Sequence, residues 1–294
     1  MEALLLQLFA GLSIGSVLLL AALGLSLTFG QMGVINMAHG ELMMAGAYTA
    51  FVVQQVVHDA GASLLIALPT GFLVGGLIGL LIEVTVIRWM YHRPLDTLLV
   101  TFGVSLILQQ LARDIFGAPA KQVRAPQWLS GSFAVGSLDL PLARLFILGV
   151  VIVCTTALAV VLTATPLGRR LRATVQNRDL AETVGISTRR TDQAAFFIGS
   201  GLAGVAGVAL TLIGSTGPTL GTTYIVDAFL VVVVGGIGQI KGTVLAAFVL
   251  GLMQSAFEYE TSASMGRVLL LLAIVAFLQA RPQGLFTVRT RSLA

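Results

Sequence analysis

Long apolar runs separated by short polar segments dominate the chain. A helix that crosses a bilayer needs about 20 apolar residues, and nine segments approach that length. They are predicted at residues 4–29, 38–57, 63–87, 96–116, 144–165, 193–214, 222–235, 242–257 and 266–280. The pattern therefore predicts one all-α polytopic transmembrane domain over residues 1–294, with about eight to ten spans, some of them short or broken.

Composition supports a membrane protein. Hydrophobic residues make up 56% of the chain and charged residues only 10%, whereas about 25% of a typical soluble domain is charged. The 33 glycines suit membrane helices, whose interfaces favour small residues. Cys154 is the single cysteine, and the three histidines show no metal-ligand spacing. We therefore expect neither a metal nor a cofactor.

The positive charges predict an orientation. If the spans alternate and the polar segment 168–191 faces the cytoplasm, then residues 88–95, 235–241 and the C-terminal tail face it too. That side collects 12 of the 17 Lys and Arg residues, as the positive-inside rule requires. The C-terminus is thus predicted to be cytoplasmic, and the proline- and glycine-containing loop 117–143 external. The net charge of +4 follows from this topology and does not indicate nucleic-acid binding.

The stretch from Thr28 to Tyr48 contains three polar residues, Asn36, His39 and Glu41, beside four glycines and between two apolar runs. Polar groups at membrane depth are costly and usually line a path or pair with another group. Two interpretations stay open. The three residues hold a bend at the start of the second span, near the cytoplasmic mouth, or they line a permeation path there.

A polar stripe on the fourth span is the stronger candidate for a path lining. Thr97, Thr101, Ser105 and Gln109 recur every four residues, so a helix places them on one face. Asp227 in the short seventh span is the other candidate. Because an ionised carboxylate facing lipid is costly, Asp227 must face protein or water, where it caps a helix or contacts the solute.

The polar segment 168–191 is a candidate docking element. It lacks Gly and Pro from Arg170 to Val184, which predicts one short helix with Gly185 as its C-cap. Leu171, Val175, Leu180 and Val184 form its apolar stripe. The alternative is a basic loop that binds anionic lipid. The residues predicted to dock a cytosolic partner are Arg172, Gln176, Asn177, Arg178, Asp179, Glu182 and Gly185.

The chain contains no Walker A phosphate loop, no nucleophile elbow and no His-Glu-x-x-His motif. It is therefore not expected to be an enzyme, and ATP hydrolysis would need separate subunits.

Four motifs resemble the permease subunits of ABC importers for branched-chain amino acids and urea. They are the segments Gly33–Glu41, Gln176–Ile186, Val226–Gly238 and Arg281–Phe286. The resemblance covers residues 11–286. It implies a multi-pass protein of the bacterial inner membrane that pairs with a homologous second permease, two cytosolic ATPases and a periplasmic binding protein. It also implies that residues 169–185 form a short helix that binds in a groove on an ATPase.

Within that family, three further segments resemble the first permease subunit of urea transporters: 95–99, 128–131 and 212–227. The stripe on the fourth span is uncharged, which favours a small neutral solute such as urea over a zwitterion. A branched-chain amino acid or short amide is the alternative cargo. An ion-coupled carrier or channel, with Glu41, Glu83 and Asp227 as coupling groups, is the alternative of another class.

Overall fold

The computed structural model describes residues 2–91, 93–135 and 138–286. Eleven α-helices lie in these ranges. They are α1 (Glu2–Met32), α2 (His39–Val56), α3 (Ala60–Thr85), α4 (Pro94–Phe116), α5 (Leu142–Ala164), α6 (Pro166–Gln176), α7 (Arg178–Thr183), α8 (Thr188–Leu210), α9 (Leu220–Gly235), α10 (Ile240–Glu260) and α11 (Ala263–Ala280). The all-α membrane fold predicted from the apolar pattern is confirmed.

Each of the nine predicted spans coincides with a helix. Six of the described helices, α1, α3, α4, α5, α8 and α10, are long and apolar enough to cross a membrane. Helix α9 and the 264–280 part of α11 are apolar but shorter, and α2 has 18 residues. The expectation that some spans are short therefore holds for α2, α9 and α11.

Helix α8 occupies the centre of the bundle and packs against α1, α2 and α3. Its glycines allow this close packing. A methyl group on Gly204 would overlap the carbonyl oxygen of Gly71 in α3, and one on Gly46 in α2 would overlap the carbonyl oxygen of Gly204. Small residues at such crossings let membrane helices approach until their backbones touch.

One side of the bundle, which we call the docking side, gathers the segments that the charge pattern groups together. Gly30 at the end of α1 packs against Gly238 in the α9–α10 loop. The N–H of Leu285 donates to the carbonyl of Val234, which holds the last described residues on this side. The predicted grouping of 88–95, 168–191 and 235–241 agrees with this arrangement. Arg289 and Arg291 of the predicted basic tail lie outside the described residues.

The opposite side carries the long loop 117–141. It contains a short 3₁₀-helix (Gln127–Leu129) and an antiparallel hairpin of β1 (Ser132–Val135) and β2 (Leu138–Pro141). The loop is tied to the bundle by the pairing of Lys121 with Thr216. This irregular segment agrees with the prediction that prolines and glycines exclude a continuous helix there.

Candidate functional site

Helix α2 begins deep inside the bundle. Gly33, with φ +65°, turns the chain after α1, and residues 33–38 lead back along that helix. The His39 Nε2 atom lies 3.4 Å from the carbonyl oxygen of Ala21, about 16 Å before the end of α1 at 1.5 Å per residue. The expected position at the cytoplasmic mouth is therefore wrong, because the chain re-enters the bundle before α2 starts.

The three polar residues of this re-entrant segment are buried: Asn36, His39 and Glu41 are at most 1% exposed. Asn36 Oδ1 accepts the N–H of Ala38 at 3.0 Å and thereby supports the turn into α2. His39 packs against α1. These two contacts fit the interpretation that Asn36 and His39 hold the bend. Non-helical backbone at this depth is tolerated because protein surrounds it.

Glu41 joins this segment to the polar stripe of α4. Its Oε1 atom accepts hydrogen bonds from Ser105 Oγ at 3.0 Å and Gln109 Nε2 at 2.9 Å. One turn earlier on α4, Thr101 Oγ1 accepts the N–H of Met37 at 3.1 Å. The two candidates that the sequence presents as separate thus form one site. Their four-residue spacing puts the α4 groups on the face that contacts α2.

Two predicted path residues lie outside this site. The Thr97 hydroxyl donates to the carbonyls of Met90 and Arg93 at the start of α4, at 3.1 and 2.8 Å. Asp227 is half-buried on α9, and no hydrogen bond joins it to the α2–α4 cluster among the described residues. The path-lining roles of Thr97 and Asp227 therefore remain predictions.

A second chain reversal meets the first at Glu41. After α8 ends, residues 211–219 turn back, and α9 begins beside the start of α2. A methyl group on Gly221 would overlap the backbone of Gly40 and would lie 2.8 Å from Glu41 Cδ. The first turns of α2 and α9 therefore touch. Sequence reasoning missed Gly221, and its only signal is a glycine in the first turn of a short span.

Cavities lie on the α2 and α9 sides of this contact. One of about 380 Å³ lies between α2, α3 and α4, and Glu41 and Tyr48 line it together with mainly apolar side chains. The other, of about 260 Å³, is lined by Ser215, Thr219 and Tyr224, among others. Tyr48 was not predicted, although it lies seven residues after Glu41 on the same helix face.

The predicted docking helix is two helices. Asn177 interrupts it in an extended conformation and caps α7, since its Oδ1 accepts the N–H of Leu180 at 3.0 Å. The prediction of one helix over 170–184 is wrong because Asn forms such caps more readily than it continues a helix. Gly185 does end α7, with φ +83°. Its N–H donates to Glu182 O, and the N–H of Ile186 donates to Ala181 O, which is a Schellman motif.

The apolar stripe of this segment divides between two faces. Leu171 is 3% exposed and packs into the protein, whereas Leu180 and Val184 are 63% and 75% exposed. Val175 is exposed with them. We call Val175, Leu180 and Val184 the apolar docking patch.

Arg178 contacts other parts of the chain through its guanidinium group. Its guanidinium forms an ion pair with the buried Asp192 of α8 and lies 4.9 Å above the ring of Tyr91. Gln31 of α1 donates to the same carboxylate at 3.4 Å. The phenol of Tyr91 donates to Glu83 Oε1 at 2.6 Å, and burial together with this hydrogen bond raises the pKa of Tyr91.

The other predicted docking residues are exposed, but three of them also make contacts within the chain. Arg172 donates to the carbonyl of Leu162, Glu182 accepts from the hydroxyl of Thr188, and Asn177 caps α7. Gln176 and Asp179 are exposed as well. Their role in docking remains a prediction.

Comparison with known proteins gives a consistent result. Residues 7–278 match the family described as "Branched-chain amino acid transport system / permease component". The permease LivH of Salmonella typhimurium is 30% identical, and the match covers 92% of each chain. LivH of Escherichia coli K12 is 29% identical with the same coverage, and BraD of Pseudomonas aeruginosa is 28% identical over 95% of this chain and 94% of its own.

No solved structure matches the chain. The family match includes all nine predicted spans, apart from residues 4–6 of the first and 279–280 of the last. The site built from α2, α4 and α9 and the α6–α7 segment both lie within the matched residues. The chain therefore belongs to the permease family of branched-chain amino acid transport systems.

Proposed function

We propose that the chain is the membrane-spanning subunit of a binding-protein-dependent ABC importer in a bacterial inner membrane. The observation that carries this proposal is the α6–α7 segment, an exposed element outside the apolar bundle in a chain of this permease family. Two cytosolic ATPase subunits would hydrolyse ATP. A homologous second permease and a periplasmic binding protein would complete the importer.

The apolar docking patch supports an ATPase as the occupant of this surface. Leu180 and Val184 are exposed beside polar residues such as Asp179. A loop that bound anionic lipid would need only its arginines, whereas a protein groove would also bury apolar side chains. The docking side is then cytoplasmic, in agreement with the excess of positive residues there.

The docking proposal is tested by Leu180→Asp in the complete complex. We expect the solubilised permease to lose co-purification with the ATPases, because a carboxylate at the centre of an apolar contact must be desolvated. Leu180→Met is the control, since it keeps an apolar side chain and should keep the complex. A complex that survives Leu180→Asp would contradict docking through this patch.

For the cargo, we propose urea. The segment 212–227, which resembles the urea branch of the family, contributes residues such as Ser215, Thr219 and Tyr224 to the 260 Å³ cavity and includes Gly221 beside Glu41. Hydroxyl groups suit a small solute that both donates and accepts hydrogen bonds. The α4 stripe alone does not separate urea from an amino acid, because the carboxyl group of Glu41 on α2 lies against its uncharged residues.

Branched-chain amino acids are the second candidate. The relatives named LivH and BraD are described as branched-chain amino acid permeases. The 380 Å³ cavity beside Glu41 has mainly aliphatic walls, which would suit an apolar side chain.

One experiment separates these cargoes and the competing class. The importer is reconstituted in proteoliposomes, and uptake of labelled urea and labelled leucine is measured with and without ATP. We expect ATP-dependent uptake of urea. Uptake of leucine alone would replace urea by the second candidate. Uptake that continues without the ATPase subunits, driven by an ion gradient, would instead indicate a secondary transporter.

A further inference from the structure

The side of α9 that faces away from the bundle is polar at its start. Thr219 directly before the helix and Thr223 in its first turn are exposed, and Asp227 one turn later is half-buried. These three residues recur every four positions and therefore lie along one side of the helix. We call them the α9 polar face. The hydroxyl-bearing residues that line the 260 Å³ cavity at the start of this face are Ser215, Thr219, Thr223 and Tyr224.

The α9 polar face lies at membrane depth. Gly221 in the first turn of α9 packs against the backbone of Gly40 deep in the bundle. The other end of α9 reaches the docking side, where the carbonyl of Val234 accepts the N–H of Leu285. The polar face lies between these two levels. Because an ionised carboxylate against lipid is costly, and hydroxyl groups without partners add to that cost, this face must contact water or polar protein.

The polar groups of this face are largely unpaired within the described residues. There, the hydroxyl of Thr219 and the carboxylate of Asp227 make no hydrogen bond, and the hydroxyl of Thr223 donates only at 3.3 Å to the Thr219 carbonyl. The positive charge of Arg267 on α11 acts on Asp227, but no ion pair joins the two in the described part of the chain. The face therefore keeps donors and acceptors for a ligand.

The polar stripe on α4 differs from the α9 polar face in both respects. Its four side chains are at most 6% exposed, and each of them donates a hydrogen bond within the chain. Ser105 and Gln109 in particular hold α4 to Glu41. The stripe thus joins two helices, whereas the α9 polar face is open to a solute.

We propose that the α9 polar face is one wall of the path that the imported solute takes. Hydroxyl groups donate and accept hydrogen bonds and a carboxylate accepts them, so the face suits a small solute with N–H donors and oxygen acceptors. The 260 Å³ cavity, which Ala120 of the loop 117–141 also lines, is the entrance from the side opposite docking. Because the face is exposed in this chain, the second permease supplies the facing wall. This inference rests on the proposed importer function, and it holds for the chemistry that urea and an amino acid share.

Thiol labelling of the complete importer tests whether water reaches this face. Thr223→Cys in a Cys154→Ser background should react with a small charged thiol reagent added on both sides of the membrane, and the reaction should block uptake. Val153→Cys in the same background is the matched control. Val153 is 67% exposed midway along the apolar helix α5, and a cysteine there should not react because it faces lipid. If Thr223→Cys is as unreactive as Val153→Cys, the face is covered by lipid or by a packed subunit, and the proposal is wrong.

Uptake rates test whether the face contacts the solute. The reconstituted importer is given saturating labelled urea in one arm and labelled leucine in the other. We expect the isosteric changes Thr223→Val and Asp227→Asn each to lower the uptake rate about three- to tenfold, because each removes a hydrogen bond to the passing solute. Thr163→Val on α5 removes an exposed hydroxyl that already donates to the carbonyl of Ala159 at 2.7 Å, and it should transport like the wild type.

Two results separate this inference from the proposed function. Wild-type rates in both Thr223→Val and Asp227→Asn would overturn the proposed path wall while ATP-dependent uptake by the wild type stays intact. Absence of ATP-dependent uptake of both solutes by the wild type would instead overturn the proposed function, and this inference with it.

Discussion

At the scale of single residues, Glu41 gains its significance from its neighbours. The sequence shows a carboxylate in an apolar run, and the four-residue stripe on α4 shows a polar helix face. Neither pattern shows that Ser105 and Gln109 reach the same Glu41 oxygen. That contact depends on the depth at which α2 begins, and a re-entrant segment sets this depth.

The contact between Gly40 and Gly221 leads to a prediction at this scale. Gly221→Ala should destabilise the permease by about 1–3 kcal/mol, because a methyl group there overlaps the Gly40 backbone and crowds Glu41. Thermal unfolding of the purified importer and solute uptake measure the effect. Gly103→Ala on α4 is the control, since nothing lies within 4 Å of its added methyl group. Equal stability of the two variants would show that α2 and α9 do not pack this closely.

At the scale of elements, the α6–α7 segment has two faces with different surroundings. Its apolar docking patch is exposed, whereas Arg178 points inward and joins the segment to α8 and, through Gln31 and Asp192, to α1. Sequence reasoning assigned Arg178 to docking because arginines on an amphipathic helix usually face solvent. The buried Asp192 partner lies 14 residues further on, in another helix, so helix periodicity does not reveal it.

A charge exchange tests the ion pair. Arg178→Asp and Asp192→Arg should each destabilise the protein by about 3–5 kcal/mol, because each leaves a buried charge unpaired and opposed by a like charge. The double variant should recover part of the stability and of the uptake. Thermal unfolding and ATP-dependent uptake are the measurements. A double variant no better than the single variants would argue against a direct pair.

At the scale of the whole molecule, the fold has a docking side and an opposite side. The α3–α4 loop, α6–α7 and the α9–α10 loop lie together around the end of α1, and the hairpin loop 117–141 lies at the other end. The alternation of spans and the positive residues predict this division. The structure adds that α2 and α9 start inside the bundle and run to opposite sides.

The orientation is testable with single cysteines in a Cys154→Ser background. Ile237→Cys should react with a membrane-impermeant thiol reagent only in inside-out vesicles, because this position is exposed on the docking side and lies outside the apolar docking patch. Phe133→Cys, exposed in the hairpin, should react only in intact spheroplasts. The reverse pattern would show that the docking side is external and would exclude ATPase docking there.

The sequence by itself determined the membrane class, the positions of the nine apolar helices and the place of the polar segment between α5 and α8, because apolar run length and charge are local properties of the chain. It also determined that Thr101, Ser105 and Gln109 share a helix face. Only the tertiary structure decided that the chain re-enters after α1, that α2 meets α9 at two glycines, and that Glu41 contacts the polar face of α4. These features depend on how residues far apart in sequence pack together, and a local pattern carries no information about that packing.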